Sequence, residues 1–93
     1  MKKYMSLHRA PGLLPENWDD SSSGVYAAKH IRFVQSYVNL GVGFIFSIWE
    51  APNPEALTEQ FEEWGMPVEE IHEVQFSQSL PEMEARLKQL GRL

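Results

Sequence analysis

The stretch from residue 31 to residue 74 constrains the fold of this chain most strongly, because turn signals divide it into runs of different periodicity. Ile31–Asn39 and Phe44–Glu50 are rich in β-branched and aromatic residues, and each predicts a strand. Leu40–Gly43 lies between them and contains two glycines, which favour a turn because glycine adopts positive φ without steric cost. The two strands are therefore predicted to pair as an antiparallel hairpin.

A helix is predicted to follow the hairpin. Asn53 is a favourable N-cap, and Pro54 suits the first helical position, where its missing amide hydrogen costs nothing. Gly65 ends the helix and Pro67 prevents it from resuming. The predicted apolar stripe of this helix consists of Leu57, Phe61 and Trp64. A further strand is predicted at Val68–Phe76.

The flanking segments add one strand and two helices. Lys3–His8 alternates in the manner of a first strand. A helix is expected within residues 15–29, with an interruption at residues 21–24, because three serines and a glycine disfavour a helix interior. Ser79 and Glu82 form a capping-box pattern at the start of a C-terminal helix. The apolar positions of that helix are Leu80, Met83, Leu87 and Leu90.

The predicted order of elements is βαββαβ followed by a helix, which indicates an α+β chain with one ferredoxin-like domain over residues 1–93. Regular alternation in the second strand would place Ile31, Phe33, Gln35 and Tyr37 on one face, and Arg32, Val34, Ser36 and Val38 on the other. The two hairpin strands are apolar on both faces, whereas helices cover only one face of a four-stranded sheet. We therefore expect a homodimer in which two sheets pack face to face as an α/β barrel.

The composition excludes several classes of function. The chain has no cysteine, so disulfides and thiolate metal sites are excluded. Its net charge is −5, and it lacks the clustered Lys and Arg residues of a nucleic-acid-binding surface. No apolar run approaches the roughly 18 residues needed to span a bilayer, and the start lacks the apolar core of a signal peptide. We therefore expect a cytoplasmic protein with no nucleic-acid or membrane partner.

The three histidines show no pair at metal-ligand spacing on a helix. His8 shares a strand face with Tyr4 and is interpreted mainly as a structural histidine, with metal binding as a weaker alternative. His72 lies two residues from Glu70 on one strand face, so the two side chains have the spacing to meet one ion or one substrate. An exposed polar pair is the simpler interpretation there. His30 is interpreted as a structural residue between a helix and a strand.

Several short motifs resemble a known family, the small bacterial nickel-binding ferredoxin-like proteins that were long described only as a domain of unknown function. The motifs are Gln35-Ser36-Tyr37-Val38, Trp49-Glu50-Ala51-Pro52, Glu55-Ala56, Gly65-Met66-Pro67 and Ile71-His72-Glu73-Val74. The resemblance covers roughly residues 3–75. It implies a ferredoxin-like fold that dimerises through its sheets into an α/β barrel, and divalent metal binding in some members.

Two residues depart from the family pattern. The histidine expected before Ser-Tyr-Val is Gln35, and the histidine expected in the following helix is Gln60, whereas the acidic residue is retained as Glu50. An amide oxygen is a much weaker ligand than imidazole for nickel-type ions. The resemblance therefore implies a ligand site at Gln35, Glu50 and Gln60, with nickel as a possible but weakened cofactor. The same residues also suit a polar pocket for a small organic ligand.

The leading functional hypothesis is thus non-catalytic binding of a small ligand or a divalent metal. The alternative is a small dimeric α/β-barrel enzyme, resembling monooxygenases or isomerases, with His8, Tyr4 and Tyr37 as acid–base groups. A buried cavity lined by these three residues would favour the enzyme. A third hypothesis is a structural or regulatory partner protein, which an exposed apolar patch on the C-terminal helix would favour.

Overall fold

Four strands and three helices account for most of the chain in a computed structural model that describes residues 1–93. In chain order they are β1 (Lys2–Arg9), α1 (Pro15–Tyr26), β2 (Arg32–Asn39), β3 (Phe44–Ala51), α2 (Pro54–Trp64), β4 (Glu70–Glu73) and α3 (Leu80–Gln89). The predicted order of elements is confirmed, and the protein is of the α+β class.

The four strands form one sheet in the order β2-β3-β1-β4, and each neighbouring pair is antiparallel. This order is compatible with the predicted ferredoxin-like fold. The hairpin strand β3 is central, as its apolar sequence predicts, and β2 and β4 are the two edges. Ser47 of β3 pairs with Ser6 of β1 on one side and with Ser36 of β2 on the other, so a row of serines crosses three strands.

One face of the sheet is covered and the other is open. On β1 and β3 every second residue is buried, and α2 packs on the face that these buried residues form. The hydrophobic core on this face consists of Tyr4, Ile31, Trp49, Ala51, Leu57 and Phe61. The residues between them point to the opposite face, which no element of the chain covers. We call this the open face.

Helix α2 forms as its sequence predicts. The side chain of Asn53 accepts a hydrogen bond from the backbone N–H of Ala56 at 2.8 Å, which satisfies one of the free amide groups of the first turn. Gly65 ends the helix at φ 67°, a left-handed conformation that disfavours other residues. Leu57 and Phe61 are fully buried against the sheet.

The predicted alternation of β2 is wrong beyond its second residue. The pairing of β2 with β3 shifts between Phe33 and Gln35, so Val34 forms a β-bulge. As a result Phe33 and Ser36 lie on the helix-covered face, while Gln35 and Tyr37 lie on the open face. Both faces of β2 carry apolar residues, so the sequence pattern contains no signal for the bulge.

The predicted interruption of the first helix is also wrong. Helix α1 continues from Pro15 to Tyr26 without a break. The hydroxyl groups of Ser21 and Ser22 both donate to the carbonyl oxygen of Trp18, at 3.0 and 2.8 Å. These hydroxyls therefore bond back to the preceding turn and leave the backbone amide ladder intact.

The last part of the chain differs from the prediction in length and packing. Strand β4 is shorter than the predicted Val68–Phe76, since it pairs only with four residues of β1. Helix α3 begins at the predicted cap, where Ser79 accepts from the backbone of Glu82, but it buries no residue. The radius of gyration is 15.9 Å, against about 12 Å for a compact domain of this length. The chain is therefore extended, with α3 outside its core.

Candidate functional site

A chain of hydrogen bonds between buried polar groups crosses the helix-covered face. The indole Nε1 of Trp49 donates to the Oγ of Ser6 at 2.8 Å. Ser6 Oγ lies 2.7 Å from His8 Nε2, and His8 Nδ1 lies 2.8 Å from the carbonyl oxygen of Pro67. Because the indole only donates and the carbonyl only accepts, Ser6 donates to Nε2 and Nδ1 carries the imidazole proton. With a neutral histidine, every polar group in this series of hydrogen bonds has a partner.

The environment of His8 favours that neutral form. Burial lowers the pKa of His8, and the hydrogen bond to the backbone of Pro67 opposes the shift only in part. The imidazole is 1 % exposed and packs edge-on against Phe61, with ring centroids 4.9 Å apart. A metal ion would reach His8 only if one of its two hydrogen bonds broke. The arrangement thus agrees with the structural interpretation of this residue.

The predicted pair on β4 does form. His72 Nε2 lies 3.1 Å from Glu70 Oε1, and both side chains are exposed at the edge of the open face. The chain contains no group of three or more His, Cys, Asp or Glu side chains arranged to hold a metal ion. The His72–Glu70 pair therefore offers two side chains that can ligate a metal ion, without a third beside them.

The structure places Gln35 and Glu50 on the open face. Glu50 lies opposite Arg32 across the β2–β3 pair, and Arg32 Nη1 approaches its Oε1 to 3.5 Å. Lys3 of β1 pairs with Glu50 from the other side. The one carboxylate of the predicted site therefore forms an ion pair with Arg32, which competes with a metal ion for it, whereas Lys3 adjoins Glu50 only through the register of the sheet. Gln35 lies opposite Ile48, which is two residues from Glu50 along β3 and is the next residue on the same face.

Gln60 lies apart from these residues. It belongs to α2, which packs on the covered face of the sheet, and its amide donates to Glu63 Oε2 at 3.4 Å. The sheet separates Gln60 from Gln35 and Glu50 within one chain. The structure therefore brings together two of the three residues that the resemblance assigns to one site.

Between these polar side chains the open face is apolar. Its centre is formed by side chains of the two middle strands, and Tyr37 of the edge strand β2 extends it, with 58 % of its surface exposed. Tyr37 packs against Phe46 across the β2–β3 pair at a centroid distance of 6.4 Å. The apolar members on the middle strands are Met5, Leu7, Phe44, Phe46 and Ile48. These five side chains are partly exposed in the single chain, and contiguous apolar surfaces of this kind mark sites of association.

A cavity of about 1180 Å³ lies on the covered face, between α1 and the sheet. We call it the α1 cavity. Its lining includes Trp18 and Val25 of α1, Phe33 of β2, and Ser36 and Ser47 on the sheet, whose hydroxyl oxygens lie 2.6 Å apart. These serines were not predicted to contribute to a site, although hydroxyl residues inside otherwise apolar strands were a visible signal.

The acid–base groups of the enzyme hypothesis do not meet in this cavity. Tyr4 and His8 lie on the covered face under α2, whereas Tyr37 lies on the open face, and none of the three lines the α1 cavity. The structure therefore does not bring together the catalytic groups that this hypothesis needs. No helix of the structure has the length and apolar character to cross a membrane.

Comparisons with known proteins concern the sheet and its first two helices. Residues 4–74 match the family described as nickel responsive protein SCO4226-like. Among solved structures, the crystal structure of SCO4226 from Streptomyces coelicolor A3(2) superposes with a TM-score of 0.72 at 26 % sequence identity. The alignment covers 82 % of this chain and 99 % of that one. No curated protein sequence gives a significant match.

Proposed function

The chain belongs to the SCO4226-like family of nickel-responsive proteins, and from this premise we propose that it is a non-catalytic, homodimeric binding protein. The family suggests a metal-related binding role. The observation that carries the proposal is the open face, where an apolar centre adjoins Gln35, Glu50 and Arg32 and no element of the chain covers it. A surface of this composition supports both association and the binding of a small polar ligand.

The dimer accounts for the small core. Only 11 of the 93 residues are buried in the single chain, and all of them except Gly43 in the β2–β3 turn lie at or beneath the covered face. Burial of apolar area yields about 25 cal/mol per Å², so packing two open faces together would add a second apolar layer to each sheet. Two sheets joined in this way would form the α/β barrel that the family resemblance implies.

The residues present do not fit a tightly held nickel ion. Glutamine amides stand at both positions where the family pattern has imidazoles, and Glu50 is already paired with Arg32 at 3.5 Å. The ligand that suits this surface is a small polar molecule with both donor and acceptor groups. Such a molecule can pair with the carboxylate, the guanidinium and the amide of Gln35 together. A divalent cation would bind there only weakly, through oxygen donors.

Native mass spectrometry of the purified protein, with and without nickel, zinc and copper, tests the dimer and the cation separately. We expect a dimer that takes up less than stoichiometric metal at micromolar concentrations. Stoichiometric uptake of nickel by the unaltered chain would contradict the proposed loss of tight metal binding.

Ligand screening by thermal shift tests the site. Small polar compounds that stabilise the protein should lose their effect in Gln35→Ala and in Glu50→Gln. The matched control is Gln60→Ala, since Gln60 lies on the other side of the sheet. If Gln35→Ala leaves every ligand-induced shift unchanged, the assignment of the site to the open face is wrong.

A further inference from the structure

The α1 cavity is a space between apolar walls that do not pack against each other. Helix α1 forms one wall, yet it buries no residue, and Trp18 and Val25, which line the cavity, are only half-buried. The opposite wall reaches the core, since Ile45 and Trp49 line the cavity and are 5 and 2 % exposed. Protein interiors are close-packed, so a space of about 1180 Å³ between such walls has the form of a ligand pocket.

The walls of the cavity carry five aromatic side chains. All three tryptophans of the chain line it, and Tyr26 and Phe33 add two further rings. Phe33 and Trp49 lie opposite each other across the β2–β3 pair and meet edge to face, with ring centroids 5.5 Å apart. Aromatic rings favour offset-stacked or edge-to-face contact with other rings. The lining therefore suits a flat molecule that contains rings.

One pair of hydroxyl groups lies on the sheet side of the cavity. Ser36 of β2 and Ser47 of β3 are opposite each other, and their Oγ atoms are 2.6 Å apart. Two hydroxyl groups contain two protons, and the hydrogen bond between them uses only one. Neither hydroxyl forms another hydrogen bond within the chain, and Ser47 is only 2 % exposed. One O–H group is therefore left without an acceptor in the protein, and a ligand oxygen in the cavity would supply one.

Two other serines of the lining differ in this respect. Ser21 and Ser22 of α1 also line the cavity, but both hydroxyl groups donate to the carbonyl oxygen of Trp18, at 3.0 and 2.8 Å. Their protons are already used. The unused donor of the cavity thus belongs to the Ser36–Ser47 pair.

The charged residues of the lining do not favour a charged ligand. Asp20, Lys29 and Arg32 all line the cavity and are all exposed to solvent. Arg32 is paired with Glu50 at 3.5 Å, which leaves one carboxylate and one ammonium group of opposite sign. A formal charge on the ligand would lose hydration inside the apolar walls without a net opposite charge to offset that loss. An uncharged ligand fits the cavity better.

We propose that the α1 cavity binds an uncharged aromatic molecule with a carbonyl oxygen, and that this oxygen accepts the unused proton of the Ser36–Ser47 pair. The rings of the ligand lie against Phe33 and Trp49, because Trp49 follows Ser47 by two residues on the same face of β3, about 7 Å along the strand. This site is on the covered face. It depends neither on the homodimer nor on the polar ligand of the proposed function.

Fluorescence titration with prodan, an uncharged naphthalene ketone, tests the site in the full-length chain. Tryptophans emit where prodan absorbs, so prodan bound in the cavity should quench them and emit by energy transfer. Prodan is then displaced by α-tetralone or by tetralin, which has the same two rings with a methylene group in place of the carbonyl. We expect α-tetralone to compete about fivefold better, the gain typical of one neutral hydrogen bond. Equal competition, or no binding of prodan, would overturn the proposal.

The double variant Ser36→Ala/Ser47→Ala removes the unused donor. Replacing both partners of a hydrogen bond by apolar groups is nearly neutral for stability, so the variant should fold, which circular dichroism checks. We expect its preference for α-tetralone over tetralin to vanish. The matched control is Ser21→Ala/Ser22→Ala, which should keep the preference because those hydroxyl groups are bonded to Trp18. The opposite pattern would show that the Ser36–Ser47 pair is not the donor.

Gly24→Phe tests the location of the bound probe. Gly24 lines the cavity, and a Cβ there meets no atom within 4 Å, so a phenyl ring can occupy the space without a clash. We expect prodan binding to weaken several-fold, whereas Ser23→Phe, on the next residue and outside the lining, should leave it unchanged. Unchanged binding in Gly24→Phe would overturn the proposal. If Phe46→Lys abolishes prodan binding instead, prodan lies on the open face, and the α1 cavity proposal fails while the proposed function stands.

Discussion

At the scale of single residues, His8 shows how a polar side chain is accommodated in a small core. Its two ring nitrogens are both bonded, and Trp49 and Ser6 complete a chain in which each donor has an acceptor. No buried side-chain nitrogen or oxygen lacks a partner. Breaking such a chain leaves an unpaired polar group in the core, which costs about 1–3 kcal/mol.

The burial of His8 predicts a pH dependence of stability. The pKa of His8 is lowered in the folded state, so the unfolded chain binds a proton at higher pH than the folded chain does. The stability from the neutral imidazole is therefore complete above the ordinary pKa of about 6.5 and is lost as the pH falls below it. Urea unfolding between pH 5 and pH 8 should show a free energy of unfolding that increases with pH through this window.

Two variants separate His8 from other titrating groups. His8→Gln should lower stability at pH 8 and remove the increase near pH 6.5. His72→Gln, which removes an exposed imidazole on β4, should retain that increase. If His72→Gln abolishes the pH dependence and His8→Gln does not, the protonation argument for His8 is wrong.

Gln35 allows a prediction about metal binding at the same scale. Gln35→His would restore an imidazole on the face that carries Glu50, and imidazole is a far better nickel ligand than an amide. We expect a higher nickel affinity by isothermal titration calorimetry, and a further increase when Arg32→Gln releases Glu50 from its ion pair. Gln60→His is the control, since it adds a histidine on the other side of the sheet. A larger gain from Gln60→His than from Gln35→His would count against the open face as the site.

At the scale of elements, the ends of helices were predictable and the internal geometry of a strand was not. Residues that begin or end a helix act locally. Asn53 and Ser79 therefore cap the starts of α2 and α3, and Gly65 ends α2, at the positions that the sequence predicts. The bulge at Val34 depends on which residues of β3 lie opposite, and a strand that is apolar on both faces carries no register signal. This bulge decides that Gln35 and Tyr37 face away from the helices.

The β2–β3 turn provides a prediction for one element. Gly43 has φ 77°, and a Cβ there would clash with the backbone of Ala10 and Pro11 in the loop after β1. Gly43→Ala should therefore destabilise the protein by more than about 1 kcal/mol, from backbone strain and displacement of that loop. Gly41→Ala, in the same turn, meets only the Asn39 side chain at 3.4 Å and should change stability by no more than about 0.5 kcal/mol. Equal effects in thermal denaturation would contradict this account.

At the scale of the whole molecule, the sequence predicted the fold class and the order of the elements. It did not predict the position of α1, because the helix has a weak apolar stripe and its distance from the sheet is set by tertiary packing. The family resemblance assigned Gln35 and Gln60 to one site, because the family pattern contains no information on which side of the sheet each residue lies. Residues far apart in sequence share a surface only through the register of the sheet and the packing of its helices.

The open face leads to the prediction that tests the assembly. Phe46 lies near the centre of this face, on the middle strand β3, and packs against Tyr37. Phe46→Lys would place a charge in the proposed interface without a partner, and such a charge typically costs several kcal/mol. We expect the variant to sediment as a monomer at micromolar concentrations where the unaltered protein is a dimer.

A matched substitution shows whether the position of the charge matters. Val42 is 65 % exposed in the β2–β3 turn, away from the centre of the open face, so Val42→Lys adds the same charge without entering the interface. It should remain dimeric. Far-ultraviolet circular dichroism should show the same secondary structure in both variants, because the open face of a single chain is in contact with solvent and can accept a charged side chain without unfolding. If Phe46→Lys stays dimeric, the two sheets do not meet through this face and the apolar surface requires another partner.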